Sequence, residues 1–134
     1  MSERRIDQEH REPDGRWRIE FTRQDDIVWS VLHGKLKEED ADTLLKLFRD
    51  WQATVGKPYP HIMDINQFEG DDAGTRMKLA RALLGKDSPL ASFAIVGGNF
   101  VLRTMFNLFA MTSKIPMKMF PATEDALAWV RSLP

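Results

Sequence analysis

The sequence predicts an α/β fold: a mixed sheet that opens with an antiparallel hairpin, continues as parallel β–α units and is packed with about four helices. Three observations carry this expectation. Two strand-like segments near the N-terminus are separated by a short polar turn. Apolar runs then alternate with helical patterns, which implies parallel pairing through crossover connections. Finally, 134 residues, 43% of them hydrophobic, suffice for one domain with a real core.

Residues 1–15 hold no apolar side chain after Met1 except Ile6, so they read as a flexible arm ahead of a single domain at 16–134. Trp17-Arg18-Ile19-Glu20-Phe21 alternates apolar and polar, the pattern of a half-buried strand. Gln24-Asp25-Asp26 signals a turn, and the more apolar Ile27–Leu32 completes a hairpin that Gly34 ends. Glu38, Glu39 and Asp40 place negative charge in what reads as a helix's first turn, where it favours the helix dipole. Ala41, Leu44, Leu45, Phe48 and Trp51 follow at helical spacing until Gly56 and the Pro58-Tyr59-Pro60 stretch stop the helix. His61–Asn66 is a short strand. Asp71 or Asp72 caps a second helix with an apolar face of Met77, Ala80, Leu83 and Leu84. Ser92–Val96 is a strand followed at once by Gly97-Gly98, and Phe100–Ser113 is a strongly apolar helix. Pro116–Phe120 is a last short strand. Thr123 is expected to cap a final helix carrying Ala126, Leu127, Val130 and Leu133 on one face.

Several function classes find no support. Cysteine is absent, which excludes disulfides, thiol catalysis and cysteine-ligated metals and fits a cytoplasmic setting. The net charge of -1 argues against nucleic acid as a partner. No apolar run approaches the ~18 residues of a membrane span, and the charged N-terminus does not read as a signal segment. His10, His33 and His61 form no metal-ligand spacing and read as surface or strand-end residues; no metal site or cofactor is expected. His61 and Asp64 are three apart on a strand, so they face opposite ways and make no acid–base pair. No nucleophile elbow, phosphate-binding loop or dinucleotide fingerprint occurs. No catalytic residue is assigned, and a non-enzymatic protein is expected.

Two features invite a functional reading. Gly97, Gly98 and Asn99 lie where a strand feeds a helix, and Asp72 and Thr75 begin another helix on what would be the same sheet edge. Amides at such turns can hold an anion, while glycines there also serve a plain tight turn. The second feature is the 100–113 helix. Its apolar residues span more of the helical wheel than one packed face needs. Phe100, Met105, Phe106, Phe109 and Met111 are therefore candidates for an interface or an apolar ligand face. Charge is also uneven: residues 75–118 hold seven basic residues and one acidic, Asp87, which reads either as a local anion-attracting surface or as ordinary solvated helix faces.

The element order and three motifs resemble the STAS family (sulphate transporter and anti-sigma-factor antagonist domains), in its SpoIIAA-like branch, which is grouped with Sec14-type lipid-binding folds. Met63-Asp64-Ile65-Asn66 is similar to the family's strand ending in Asp-Leu-Ser. Val96–Arg103 is similar to its Val-Gly turn into the third helix, and Phe120–Trp129 to its closing segment. The resemblance covers residues 16–133 and implies a regulatory protein-interaction module. Signalling members carry Asp-Ser-Ser-Gly, with a phosphorylated serine, at the start of the second helix. Here the stretch reads Gly70-Asp71-Asp72-Ala73-Gly74-Thr75. Ala73 or Gly74 takes the phosphoacceptor place, so no phosphoacceptor is expected. The chain is expected to form a homodimer through residues 100–113 or to engage another protein. The alternative is a binding protein for a lipid or other small apolar ligand.

Overall fold

The computed structural model describes residues 5–134; Met1 to Arg4 of the expected arm lie outside the described residues. Six strands form one sheet: β1 (Gln8–Arg11), β2 (Trp17–Gln24), β3 (Ile27–Lys35), β4 (Tyr59–Gly70), β5 (Leu90–Val96) and β6 (Met117–Phe120). Four α-helices follow the expected order: α1 (Ala41–Val55), α2 (Ala73–Leu84), α3 (Phe100–Thr112) and α4 (Thr123–Ser132). The strands lie in sequence order across the sheet. The β1–β2 and β2–β3 pairs are antiparallel, and the β3–β4, β4–β5 and β5–β6 pairs are parallel.

Because the order never reverses, each crossover steps the same way, and the usual right-handed connection puts α1, α2 and α3 on one face. The main core confirms the placement: Ile19, Phe21, Leu32 and Ile95 of the sheet pack with Leu44 and Phe48 of α1, Leu83 of α2 and Leu102 of α3. The opposite face carries a smaller core, in which Trp29, Ile62, Ala94 and Val96 meet Ala126 and Val130 of α4. Alternation along β3 and β4 sorts these two sets, since successive side chains point to opposite sides of a sheet.

Five expectations need correction. Residues 8–11 of the expected arm form the edge strand β1, with Gln8 opposite Phe21 and Arg11 opposite Arg18. Backbone hydrogen bonds hold it, not apolar burial: Asp7 N donates to Phe21 O at 2.8 Å, and the Thr22 hydroxyl donates to Arg5 O at 2.7 Å. The acidic turn Glu38–Asp40 is a separate 3-10 turn, and the buried Asp40 carboxylate ties it down by accepting from Lys37 N at 2.8 Å. The Asp40 carboxylate also accepts two hydrogen bonds from the Arg16 guanidinium, at 2.6 and 3.1 Å, which fastens the β1–β2 turn to the start of α1. Ala122, not Thr123, is the N-cap of α4, and it supplies no capping side chain. Met77 stands exposed on α2; Leu79, Ala80, Leu83 and Leu84 make the packed side.

The fifth correction concerns His61, which is completely buried. The rings of Phe21, Phe48, Tyr59 and Phe93 surround it, with centroids 4.9 to 6.2 Å away. Its Nε2 shares a 2.6 Å hydrogen bond with the Ser30 hydroxyl, and Nδ1 has no partner. Burial drives its pKa down from 6.5 to about 3, so the ring is neutral.

Candidate functional site

The loops at the carboxyl ends of the parallel strands are built from the inside outward. β5 ends at Val96, and the chain turns into α3 through Gly97 and Gly98, with φ of +89° and +87°. Two successive left-handed residues suit glycine alone. A Cβ on Gly97 would overlap the Asn66 amide, and one on Gly98 would come within 2.8 Å of Ile65 Cδ1. Asn66 is held in place because its backbone N and Nδ2 donate to Asp64 Oδ1 at 2.8 and 3.0 Å. The turn is thus a packing solution against the end of β4, and Gly97 N already donates to Phe120 O at 3.0 Å.

Both neighbouring helix starts are capped by their own side chains. Asn99 Oδ1 accepts from Leu102 N at 2.9 Å. Asp72 Oδ1 accepts from Thr75 N at 2.8 Å and from the Thr75 hydroxyl at 2.7 Å. These hydrogen bonds, the hydroxyl's first, hold the Asp72 carboxyl below the usual carboxylate range. Of the five residues of the expected anion loop, Gly97, Gly98 and Asn99 form one turn, and Asp72 and Thr75 form a separate cap. No hydrogen bond joins the two groups among the described residues. The fold also lacks the reversal of strand order at which open α/β sheets usually form their ligand crevice.

At the start of α2, Ala73 and Gly74 carry no hydroxyl, and a Cβ on Gly74 would lie 2.6 Å from Glu38 Oε2. Thr75 is fully buried, its hydroxyl committed to Asp72. On either side of it in the sequence stands a pair that the sequence reading missed. Arg76 Nε donates to Asp71 Oδ1 at 2.9 Å, with side chains 26% and 5% exposed. Burial pushes the Asp71 carboxyl above its ordinary value, and the guanidinium opposes that. The pair borders an apolar cavity of about 60 Å³ beneath α2 and α3, lined by Leu32, Met63, Leu83, Phe93, Phe106 and Phe109 among others. An engineered cavity of about 150 Å³ holds benzene, and this one is smaller.

Helix α3 divides the expected interface residues. Met105, Phe106 and Phe109 are half-buried and pack on the main core, and Leu102 is buried there. Phe100 and Met111 are 77% and 83% exposed. Two residues outside the expected set join them, Val101 and Leu108, at 63% and 62%. On a 100° wheel these four fall within one outward stripe with Thr104 and Thr112. The two threonine hydroxyls donate back to Phe100 O and Phe109 O, at 2.9 and 3.3 Å, so the stripe offers little hydrogen bonding of its own. The helix is apolar on two sides, which explains its sequence.

The family follows from the sequence match that this architecture supports: the SpoIIAA-like family pattern fits residues 27–131. The chain belongs to the SpoIIAA-like family. Solved structures repeat the fold. An uncharacterized protein with a SpoIIAA-like fold from Shewanella loihica shares 20% identity, covering 85% of this chain and 93% of that one, with a TM-score of 0.65. An anti-sigma factor antagonist from Mycobacterium paratuberculosis shares 18% identity over 92% of this chain and all of its own, with a TM-score of 0.62. The anti-sigma factor antagonist SpoIIAA, in its unphosphorylated form, shares 14% identity over 86% and 99%, with a TM-score of 0.53. No curated protein matches the chain in sequence. Among the described residues of this SpoIIAA-like domain, no three His, Asp or Glu side chains gather as metal ligands, and no helix is long and apolar enough to cross a membrane.

Proposed function

We propose that this SpoIIAA-like domain is a non-enzymatic regulatory module that works by binding another protein surface, without a phosphoacceptor at the start of α2. The observation that carries the reading is the outward stripe of α3. Four large apolar side chains stand in solvent on a helix whose other side already completes the core, so folding of one copy does not account for them. The relation to anti-sigma factor antagonists supports a protein partner. The α2 start supports independence from phosphorylation: Ala73 and Gly74 offer no oxygen, and Thr75 keeps its own inside.

Self-association through Phe100–Thr112 is the homotypic form of this reading, and sedimentation velocity over a concentration series measures it. Phe100→Glu is the test variant. Because Phe100 is largely exposed, the melting temperature should hold within a few degrees while any assembly through α3 is lost. Loss of folding in Phe100→Glu, or an assembly untouched by it, overturns the reading. The small cavity argues against the alternative of a resident lipid, and native mass spectrometry reads that directly: bare-chain mass is expected.

A further inference from the structure

We infer that α3 and the groove beside it dock an acidic amphipathic segment of another protein. The inference rests on the reading of α3 as an interaction surface and adds the chemistry of what it binds.

Charge supplies the argument. From Ser88 to Thr123 the chain has no acidic residue and three cations: Arg103, Lys114 and Lys118. None of the three makes an ion pair among the described residues. Lys114 N donates to Leu84 O at 2.7 Å, which holds the α3–β6 loop against the end of α2, where Lys86 is balanced by the adjacent Asp87. Arg103 and Lys114 therefore border the apolar stripe with no carboxylate between Ser88 and Thr123 to offset them, while Lys118 turns to the other face of the sheet, 5.6 Å over the Phe120 ring.

The groove gives this charge a direction. It lies between α3 and the β6–α4 connection, encloses about 250 Å³, and is lined by Phe100, Arg103, Thr104, Asn107, Met119 and Pro121. Arg103 and Asn107 are one helical turn apart and present a guanidinium and an amide to the same space. A planar carboxylate suits that pair, since a guanidinium can grip it with two parallel hydrogen bonds. The helix of 13 residues is about 20 Å long, which matches three to four turns of an amphipathic partner laid along it. Apolar residues of such a segment would cover Val101, Leu108 and Met111 while its carboxylates reach Arg103 and Lys114. A second copy fits less well, because the acid-free stretch from Ser88 to Thr123 would meet itself and bring no carboxylate to Arg103 or Lys114. A fluid headgroup layer has no need of the fixed pairing that the groove offers.

The test uses the full chain and two synthetic amphipathic helical peptides with the same apolar face, one carrying Glu and one carrying Lys on its polar face. Fluorescence anisotropy should show binding of the Glu peptide only, weakening as NaCl rises from about 50 to 500 mM. Arg103→Glu should weaken it about tenfold or more at an unchanged melting temperature. Leu108→Asp should abolish it. Equal binding of both peptides, with Leu108→Asp still disruptive, overturns the acidic partner but keeps α3 as a contact surface. Indifference to both substitutions overturns the two readings together. Preference for phosphatidylglycerol vesicles over the Glu peptide assigns the surface to a bilayer, and a dimer at 150 mM NaCl assigns it to a second copy; either result overturns the inference.

Discussion

Mild acid should weaken this fold through the ring of His61. In the folded chain four aromatic rings close round it and its pKa lies near 3, against 6.5 for an ordinary histidine. The shift is downward, so the unfolded chain takes up a proton that the folded chain refuses between those two values. Stability is therefore complete above pH 6.5 and falls as the pH drops below it. Each pH unit costs about 1.4 kcal/mol, which makes the loss at pH 5 about 2 kcal/mol. Other groups bear on this window. The carboxyls of Asp7, Asp14, Asp40 and Asp72 are held low, so their contribution fails only below about pH 4. The Asp71 carboxyl is raised by burial and acts with the opposite sign. A difference between two proteins removes these common contributions. Urea unfolding of the native chain and of Ser30→Ala/His61→Leu, at pH 7.5 and pH 5, isolates the histidine; the paired change avoids leaving the buried Ser30 hydroxyl without its partner. The native chain should lose about 2 kcal/mol more than the variant between the two pH values. Nitrogen-15 shifts of the ring should show no titration in the folded protein down to pH 5. Parallel losses in both proteins, or a ring that titrates near pH 6.5 while folded, would refute the reasoning.

Three further changes probe the joints of the fold. Asp40→Ala removes the carboxylate that binds Arg16 and Lys37 N and should cost about 3 kcal/mol by urea unfolding. Burial by itself raises the Asp40 pKa, the Arg16 guanidinium and Lys37 amide outweigh that, and the pair's stabilisation should accordingly disappear as the pH falls below 3.8. Asp72→Ala strips the cap from α2 and should cost about 1 kcal/mol, with faster amide exchange confined to the first turn. Gly34→Ala adds a Cβ that would overlap Arg16 O at a φ of +91°, so a loss of about 2 kcal/mol or more is expected in thermal melts.

What the sequence shows of this molecule depends on what holds each part. The hairpin of β2 and β3, the helical faces of α1 and α4, and the short strands β5 and β6 are held by apolar burial, and burial writes itself as periodicity. The edge strand β1 is held by main-chain hydrogen bonds, which any residue but proline can make, so Gln8–Arg11 leaves no pattern. His61 left a signal that was readable: it shares the alternation of Met63 and Ile65, both buried on the face under α1 and α2. The surplus of apolar residues in α3 was visible, but its division was not. Only the angle at which Leu102 and Phe106 meet the sheet decides that Phe109 turns inward and Leu108 outward. The Arg16–Asp40 and Arg76–Asp71 pairs are products of the tertiary path, although the second lies only five residues apart.

The sequential strand order bears on how the molecule is made. Each new strand docks beside the one synthesised just before it, so the sheet extends at one edge and never inserts a strand between two others. The face beneath α1, α2 and α3 is roofed as the sheet grows, whereas Trp29, Ile62, Ala94 and Val96 on the reverse side wait for α4. A nascent chain stopped at Phe120 would already hold all six strands yet display that apolar strip bare. Loss of the ten residues of α4 should therefore give a sticky, chaperone-dependent product and not a smaller stable domain, since α4 shields strands laid down long before it.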